Sequence, residues 1–123
     1  MHSAQKPRAR LFHLQTITGL DLPENLMIIR IGKAVSTWSP NIDVSTFPNS
    51  DIVSLSHAQI CMQEDNYFIK DLASTNGTSL NHSLLRPFIL YQLRFGDRID
   101  LGKDKLFTFL FQRANLNGAK RSF

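Results

Sequence analysis

Apolar and polar residues alternate with a period of two in short bursts along this chain, and turn-forming residues separate nearly all of them. Leu11-Phe12-His13-Leu14-Gln15-Thr16-Ile17 alternates weakly, and Leu26-Met27-Ile28-Ile29-Arg30-Ile31 is an apolar, β-branched run. Ala58-Gln59-Ile60-Cys61-Met62-Gln63 carries the alternation of a half-buried strand, and Tyr67-Phe68-Ile69-Lys70-Asp71-Leu72 does so in part. Farther on, Phe88-Ile89-Leu90 with Leu93, Arg98-Ile99-Asp100-Leu101 and Leu106-Phe107-Thr108-Phe109-Leu110-Phe111 read as strands too. Glu64-Asp65-Asn66 predicts a hairpin turn, and Phe95-Gly96-Asp97 and Gly102-Lys103-Asp104-Lys105 do similar duty. No window of helical length holds a helical period, so the pattern predicts an all-β sandwich or barrel with helix confined to short turns.

The longest irregular segment runs from Ala34 to Val53 and holds Trp38, Pro40 and Pro48; Ile42-Asp43-Val44 reads as a short strand within it. Loops of this length in a compact domain tend to carry function. Trp38 is readable either as packing over its own loop or as a contact for a peptide. Phe107, Phe109 and Phe111 alternate on the last strand and are expected in the core or on a sheet face, ahead of any role as a stacking platform.

At 123 residues, 42% hydrophobic and 20% charged, the chain is sized and composed for one globular domain. The one cysteine, Cys61, cannot support a disulfide framework and suits a reducing compartment; no neighbouring base marks it as reactive, so a buried or half-buried thiol is expected. No apolar run approaches the ~18 residues of a membrane-spanning helix. The basic start of the chain is not followed by an apolar stretch of signal-peptide length, so a cytoplasmic protein without membrane contact is expected.

The net charge of +4 sits at the ends. Six of the 14 basic residues lie in 1–10 (Lys6, Arg8, Arg10) and 113–123 (Arg113, Lys120, Arg121), which hold no acid, so residues 11–112 carry eight basic against ten acidic residues. Basic tails can touch phosphate non-specifically, but the body of the domain predicts no specific nucleic-acid ligand. The expected division is therefore a basic tail over 1–10, a domain over 11–112 and a basic tail over 113–123.

Three short pieces carry candidate chemistry: Ile31-Gly32-Lys33, Ser54-Leu55-Ser56-His57 and Ser74-Thr75-Asn76-Gly77-Thr78. Lys33 precedes Ser54 by 21 positions and Ser54 precedes Thr75 by 21. Alternate loops of a sandwich emerge at the same end, so all three can converge. Lys33 offers a cation, Ser54 and Thr75 offer hydroxyl donors, and Asn76 can both donate and accept. A phosphate group with three acceptor oxygens fits this donor set, whereas acceptors to hold a metal are missing.

These pieces, followed by Leu93-Arg94-Phe95-Gly96-Asp97-Arg98-Ile99-Asp100-Leu101-Gly102, resemble the forkhead-associated (FHA) domain family over about residues 11–112. Ile31-Gly32-Lys33 is similar to bacterial, cyanobacterial-type members. The resemblance implies an FHA-like β-sandwich of about eleven strands whose loops at one end bind phosphothreonine peptides. By the same resemblance, Lys33 stands where the family usually has a phosphate-contacting arginine, and Ser54 matches the serine that hydrogen-bonds a phosphate oxygen. Thr75 matches the residue lining the phosphothreonine pocket and Asn76 the asparagine that holds the peptide main chain. Gly32, His57 and Gly77 match positions that shape the loops, and Asp97-Arg98 the turn before a late strand. Two positions depart from the pattern: Lys33 lacks the planar fork of arginine, and Leu55 occupies a position that is often Arg or Asn and helps to hold phosphate.

The implied function is a phosphothreonine-dependent protein–protein interaction, a signalling adaptor whose partner is a phosphothreonine-containing substrate of a Ser/Thr kinase. The alternative is an FHA domain for phosphorylation-independent interaction or self-association, which Leu55 and Trp38 would favour. No cofactor and no enzymatic activity are expected, because no carboxylate pair, His/Cys metal spacing, nucleotide loop or nucleophile elbow is present. The Ser54–His57 pair lacks an orienting third group for catalysis, and the resemblance accounts for both residues otherwise.

Overall fold

A computed structural model of the chain describes residues 8–114, and these form two face-to-face sheets. In chain order the strands are β1 (Ala9–His13), β2 (Thr18–Asp21), β3 (Ile28–Gly32), β4 (Ile42–Asp43), β5 (Ser56–Gln63), β6 (Asn66–Asp71), β7 (Thr78–Leu80), β8 (Ser83–Leu84), β9 (Tyr91–Leu93), β10 (Arg98–Leu101) and β11 (Thr108–Arg113). One sheet has the order β2-β1-β11-β10-β7-β8 and the other β4-β3-β5-β6-β9. All strand pairs are antiparallel except β3 with β4. One 3-10 turn, Ser50–Ile52, is the only helical element among the described residues.

The period-two pattern places its apolar residues between the sheets. Ile29, Ile31, Ile60 and Ile69 from one sheet meet Leu11, Ile99, Phe109 and Phe111 from the other, all 4% exposed or less. Phe107, just ahead of β11, is fully buried beside Phe109 at 5.6 Å between ring centroids. Burying each such side chain contributes about 1.5–3 kcal/mol, so the inward faces explain why the alternation is kept. Cys61 instead faces outward from β5, buried between Ile28 and Phe68 on the adjoining strands. That burial pushes its thiol above the usual pKa, the opposite of activation.

Three expectations change. The weak alternation over 11–17 is not one strand: β1 stops at His13, and Ile17, with φ 55 and 77% exposed, lies in the turn that sends the chain back as β2. Phe88-Ile89-Leu90 is not a strand either. Phe88 has φ 64 and gives its N–H to the Asp71 carbonyl, which leaves the apolar triplet exposed ahead of β9. Finally, the folded unit extends beyond both expected boundaries. Arg10 lies in β1 with its Nε donating to Gln112, Arg113 ends β11 with its guanidinium 4.7 Å from the Phe95 ring, and Arg8 pairs with Glu24 at 3.2 Å. Lys6, Lys120 and Arg121 lie outside the described residues.

Buried polar side chains accompany the apolar core, among them Asp100 on the outward face of β10 and His13 on the inward face of β1. Asp100, 5% exposed, is paired with Arg98 at 2.9 Å and accepts the Thr108 hydroxyl at 2.6 Å. His13 is fully buried against Phe47, Phe107 and Phe109, and its Nδ1 meets the Thr16 hydroxyl at 2.7 Å. Because that hydroxyl donates to Thr18, it must accept from His13, so Nδ1 carries the ring proton. Nε2 is then a buried lone pair without a partner.

Candidate functional site

The three motif loops leave the same end of the sandwich, and backbone hydrogen bonds hold them side by side. Lys33 follows β3 directly, with its N–H donating to the Leu55 carbonyl at 3.0 Å. That close approach depends on Gly32: a Cβ there would stand 1.9 Å from the Leu55 carbonyl oxygen. Beyond Lys33, the carboxylate of Asp43 accepts the Ala34 N–H at 3.2 Å and both the N–H and hydroxyl of Ser45, which pins the loop from both sides. These bonds, the Ser45 hydroxyl foremost, hold the Asp43 pKa below its ordinary value.

His57 joins the second loop to the third. Its Nδ1 accepts the Ser54 N–H at 3.0 Å, so Nε2 carries the proton and donates to the Gly77 carbonyl at 2.8 Å. The ring is fully buried, and burial pushes its pKa below 6.5; the Lys33 charge adds to that, while the Gly77 carbonyl and Asp71 oppose it. A neutral ring is what the geometry needs, since a protonated Nδ1 could not accept from Ser54. Gly77, at φ 86, is in the left-handed region that glycine adopts freely.

Ser54, Thr75 and Asn76 complete the arrangement. The Ser54 hydroxyl oxygen accepts the Thr75 N–H at 3.0 Å, which leaves the hydroxyl proton to point elsewhere. The Asn76 amide donates to the Ile52 carbonyl at 3.1 Å and so braces the third loop against the 3-10 turn. An open concavity of about 330 Å3 results, lined by Lys33, Ser54, Leu55, Thr75 and Asn76 together with residues 51–53. Thus the structure brings Lys33, Ser54, Thr75 and Asn76 to one place. Gly32, His57 and Gly77 lie beneath it as the joints between loops.

Sequence reasoning passed over Asp71. Its buried carboxylate accepts the hydroxyls of Ser74 at 2.6 Å and Thr78 at 2.7 Å, fixing both ends of the turn that carries Thr75 and Asn76. An aspartate followed by hydroxyl residues three and seven positions on was the available signal. Asp43 was anticipated only as part of the short strand over 42–44, not as the acceptor that holds Ala34 and Ser45. Asp97 does have the structural role expected of it, accepting the Arg94 N–H at 2.8 Å and the Asn81 amide at 3.0 Å.

A family model of the FHA domain matches residues 29–102, a stretch that holds all three loops. The chain belongs to the FHA family. The cyanobacterial Protein FraH of Nostoc sp. is 46% identical over 110 residues, covering 89% of this chain and 38% of that protein. Among solved structures, Mycobacterium tuberculosis EmbR in complex with a low affinity phosphopeptide is 29% identical with a TM-score of 0.71, over 96% of this chain and 28% of EmbR. The FHA domain of an Arabidopsis thaliana hypothetical protein is 28% identical with a TM-score of 0.72, over 94% of this chain and 96% of that one. The FHA chain described here therefore spans only a minor part of FraH and of EmbR.

Among the described residues of this FHA domain, the buried His13 and His57 set an acid limit on its stability. Both have pKa values lowered from 6.5, so the folded state binds fewer protons than the unfolded state once pH drops below that value. Their contribution is fully present above pH 6.5 and is lost as pH falls through the lowered folded values. The denaturant midpoint is expected to be level from pH 8 to about 6.5 and to fall between about 6.5 and 5, with a shallower fall in His13→Phe. A midpoint that stays constant down to pH 5 would contradict this account.

Proposed function

We propose that this FHA domain binds a phosphothreonine-containing segment of a partner protein in the concavity between its loops, and so serves as a signalling adaptor for a cytoplasmic Ser/Thr kinase substrate. The observation that carries the reading is the Ser54 hydroxyl, fixed by the Thr75 N–H with its own proton uncommitted, in the same concavity as Lys33. A cation beside an oriented hydroxyl donor is the pairing that a phosphate dianion accepts. In this reading Thr75 lines the pocket for the phosphothreonine methyl, and Asn76, whose carbonyl oxygen is left over from its bond to Ile52, accepts from the peptide main chain. FHA domains act as phospho-motif readers, and EmbR was solved with a phosphopeptide.

Titration with a phosphothreonine peptide library and its unphosphorylated twin tests the reading; equal binding to both sinks it. Leu55 lines the concavity and is 49% exposed, so an added donor there meets no steric bar. Leu55→Arg is expected to tighten phosphopeptide binding about threefold to tenfold by a charge-assisted bond. Unchanged or weaker binding would place the phosphate away from residue 55.

The same exposed Leu55, with Trp38 at 37% exposed in the first loop, favours the second reading, a phosphorylation-independent interaction. Partner capture that survives phosphatase treatment would support it.

A further inference from the structure

The Ser74–Gly77 turn borders a second groove, of about 810 Å3, which shares Thr75 and Asn76 with the concavity. A peptide whose main chain is held at Asn76 therefore has this groove open to it on one side. Its size falls within the range of working ligand sites. The two banks are tied together, because the Gly102 N–H donates to the Gly77 carbonyl at 2.8 Å.

The chemistry of the banks differs. One is apolar: Leu84 is 72% exposed, reaches over Gly77, and stands with Leu85 and Pro87 along the groove. The other is the turn after β10, where Lys103 and Lys105 are exposed. Of the carboxylates along the groove, Asp71 is committed to Ser74 and Thr78, and Asp100 to Arg98 and Thr108. Asp104 alone stands open against the two lysines. The bank turns through Asp104 and Lys105 at left-handed φ, 63 and 55, and the Gln15 amide donates to the Lys105 carbonyl at 3.1 Å.

We propose that this groove takes the peptide segment flanking the phosphothreonine, selecting an apolar side chain against Leu84 and Pro87 together with an anionic side chain facing Lys103 and Lys105. The inference rests on the phosphothreonine reading above and names the partner's sequence class: an apolar–acidic flank on one side of the modified residue. The anion is a carboxylate or a second phosphate, which share the charge that the lysines recognise.

The test is fluorescence anisotropy with peptides that keep the phosphothreonine in an alanine-glycine background. Each of the five positions on either side is replaced in turn by Leu, Asp, phosphoserine or Lys. On one flank only, Leu at one position and an anion at another should each tighten binding about threefold to fivefold, the range of an exposed charge pair, and Lys should weaken it. Combined Lys103→Glu and Lys105→Glu should reverse the preference from Asp to Lys, and Leu84→Ser should remove the preference for Leu, both with unchanged thermal midpoints. A gain with Asp identifies a carboxylate flank, and a gain confined to phosphoserine a second phosphate; either supports the groove. Retained phosphate dependence with a flat flank, or a preference that survives the variants, overturns the groove alone. Equal affinity for phosphorylated and unphosphorylated peptides overturns the parent reading instead.

Discussion

Gly32→Ala is expected to lower the stability of the domain by about 3 kcal/mol and its Tm by roughly 10–20 °C. The added methyl carbon would stand 1.9 Å from the Leu55 carbonyl oxygen and 2.7 Å from its carbon, and both are backbone atoms that no rotamer change can clear. The strands β3 and β5 must separate at this point, where their pairing already shifts register between Ile31 and Gly32. The bond from the Lys33 N–H to the Leu55 carbonyl is lost with them, adding about 1 kcal/mol. Gly96→Ala is the comparison: a methyl group there meets nothing within 4 Å, leaving only the cost of its φ of 98, about 1 kcal/mol. Calorimetry on both variants checks the account, and a Gly32→Ala that melts no earlier than Gly96→Ala refutes it. Because Ser54 and Leu55 move with the clash, the surviving folded fraction is also expected to lose ligand affinity.

The largest effect on binding without loss of fold is expected from Ser54→Ala. Its hydroxyl accepts the Thr75 N–H and keeps one proton to give. A charge-assisted bond to phosphate is worth about 1.5–3 kcal/mol, so affinity for a phosphothreonine peptide should fall roughly 10- to 100-fold. Stability should barely change, because Thr75 is exposed and its N–H can turn to water at a cost of about 1 kcal/mol or less. Isothermal titration alongside a thermal melt separates the two. Affinity within about threefold of the parent protein would remove Ser54 from the phosphate contacts.

Under the proposed reading, the site is unevenly divided between contact and support. Lys33, Ser54, Thr75 and Asn76 sit on loops, where binding side chains can approach a ligand without opening the core. Beneath them His57, Asp71 and Asp43 bind backbone groups of neighbouring loops and hold the contacts at fixed separations. Asn76 belongs to both sets, since its amide already braces Ile52. Asn76→Ala would therefore loosen the loop as well as remove a contact, whereas Ser54→Ala is the cleaner probe.

Much of the sandwich was legible because the alternation of apolar and polar residues records which side of a strand faces the core, and that is a local property. Strands β5, β6 and β10 were visible in this way, as was the hairpin turn expected over Glu64-Asp65-Asn66, which the structure narrows to Glu64-Asp65 at the φ values of 50 and 66 of a primed turn, with Asn66 already in β6. The short edge strands β2 and β8 were not, because Thr18–Asp21 and Ser83–Leu84 bury little and leave no pattern. Phe88-Ile89-Leu90 looked like a strand because apolarity alone does not reveal a left-handed φ, which Phe88 adopts as its N–H turns to Asp71. For the site, the residue types and their order were fixed along the chain: a glycine-lysine step, a serine with a histidine three residues later, and an asparagine-glycine turn. Only the tertiary structure decided that Gly32 must lack a side chain because of Leu55, that His57 is neutral with its proton on Nε2, and that Asn76 is tied to Ile52. The Gly32–Leu55, His57–Gly77 and Asn76–Ile52 contacts each join atoms 20 or more positions apart in the chain, and no local pattern encodes that distance.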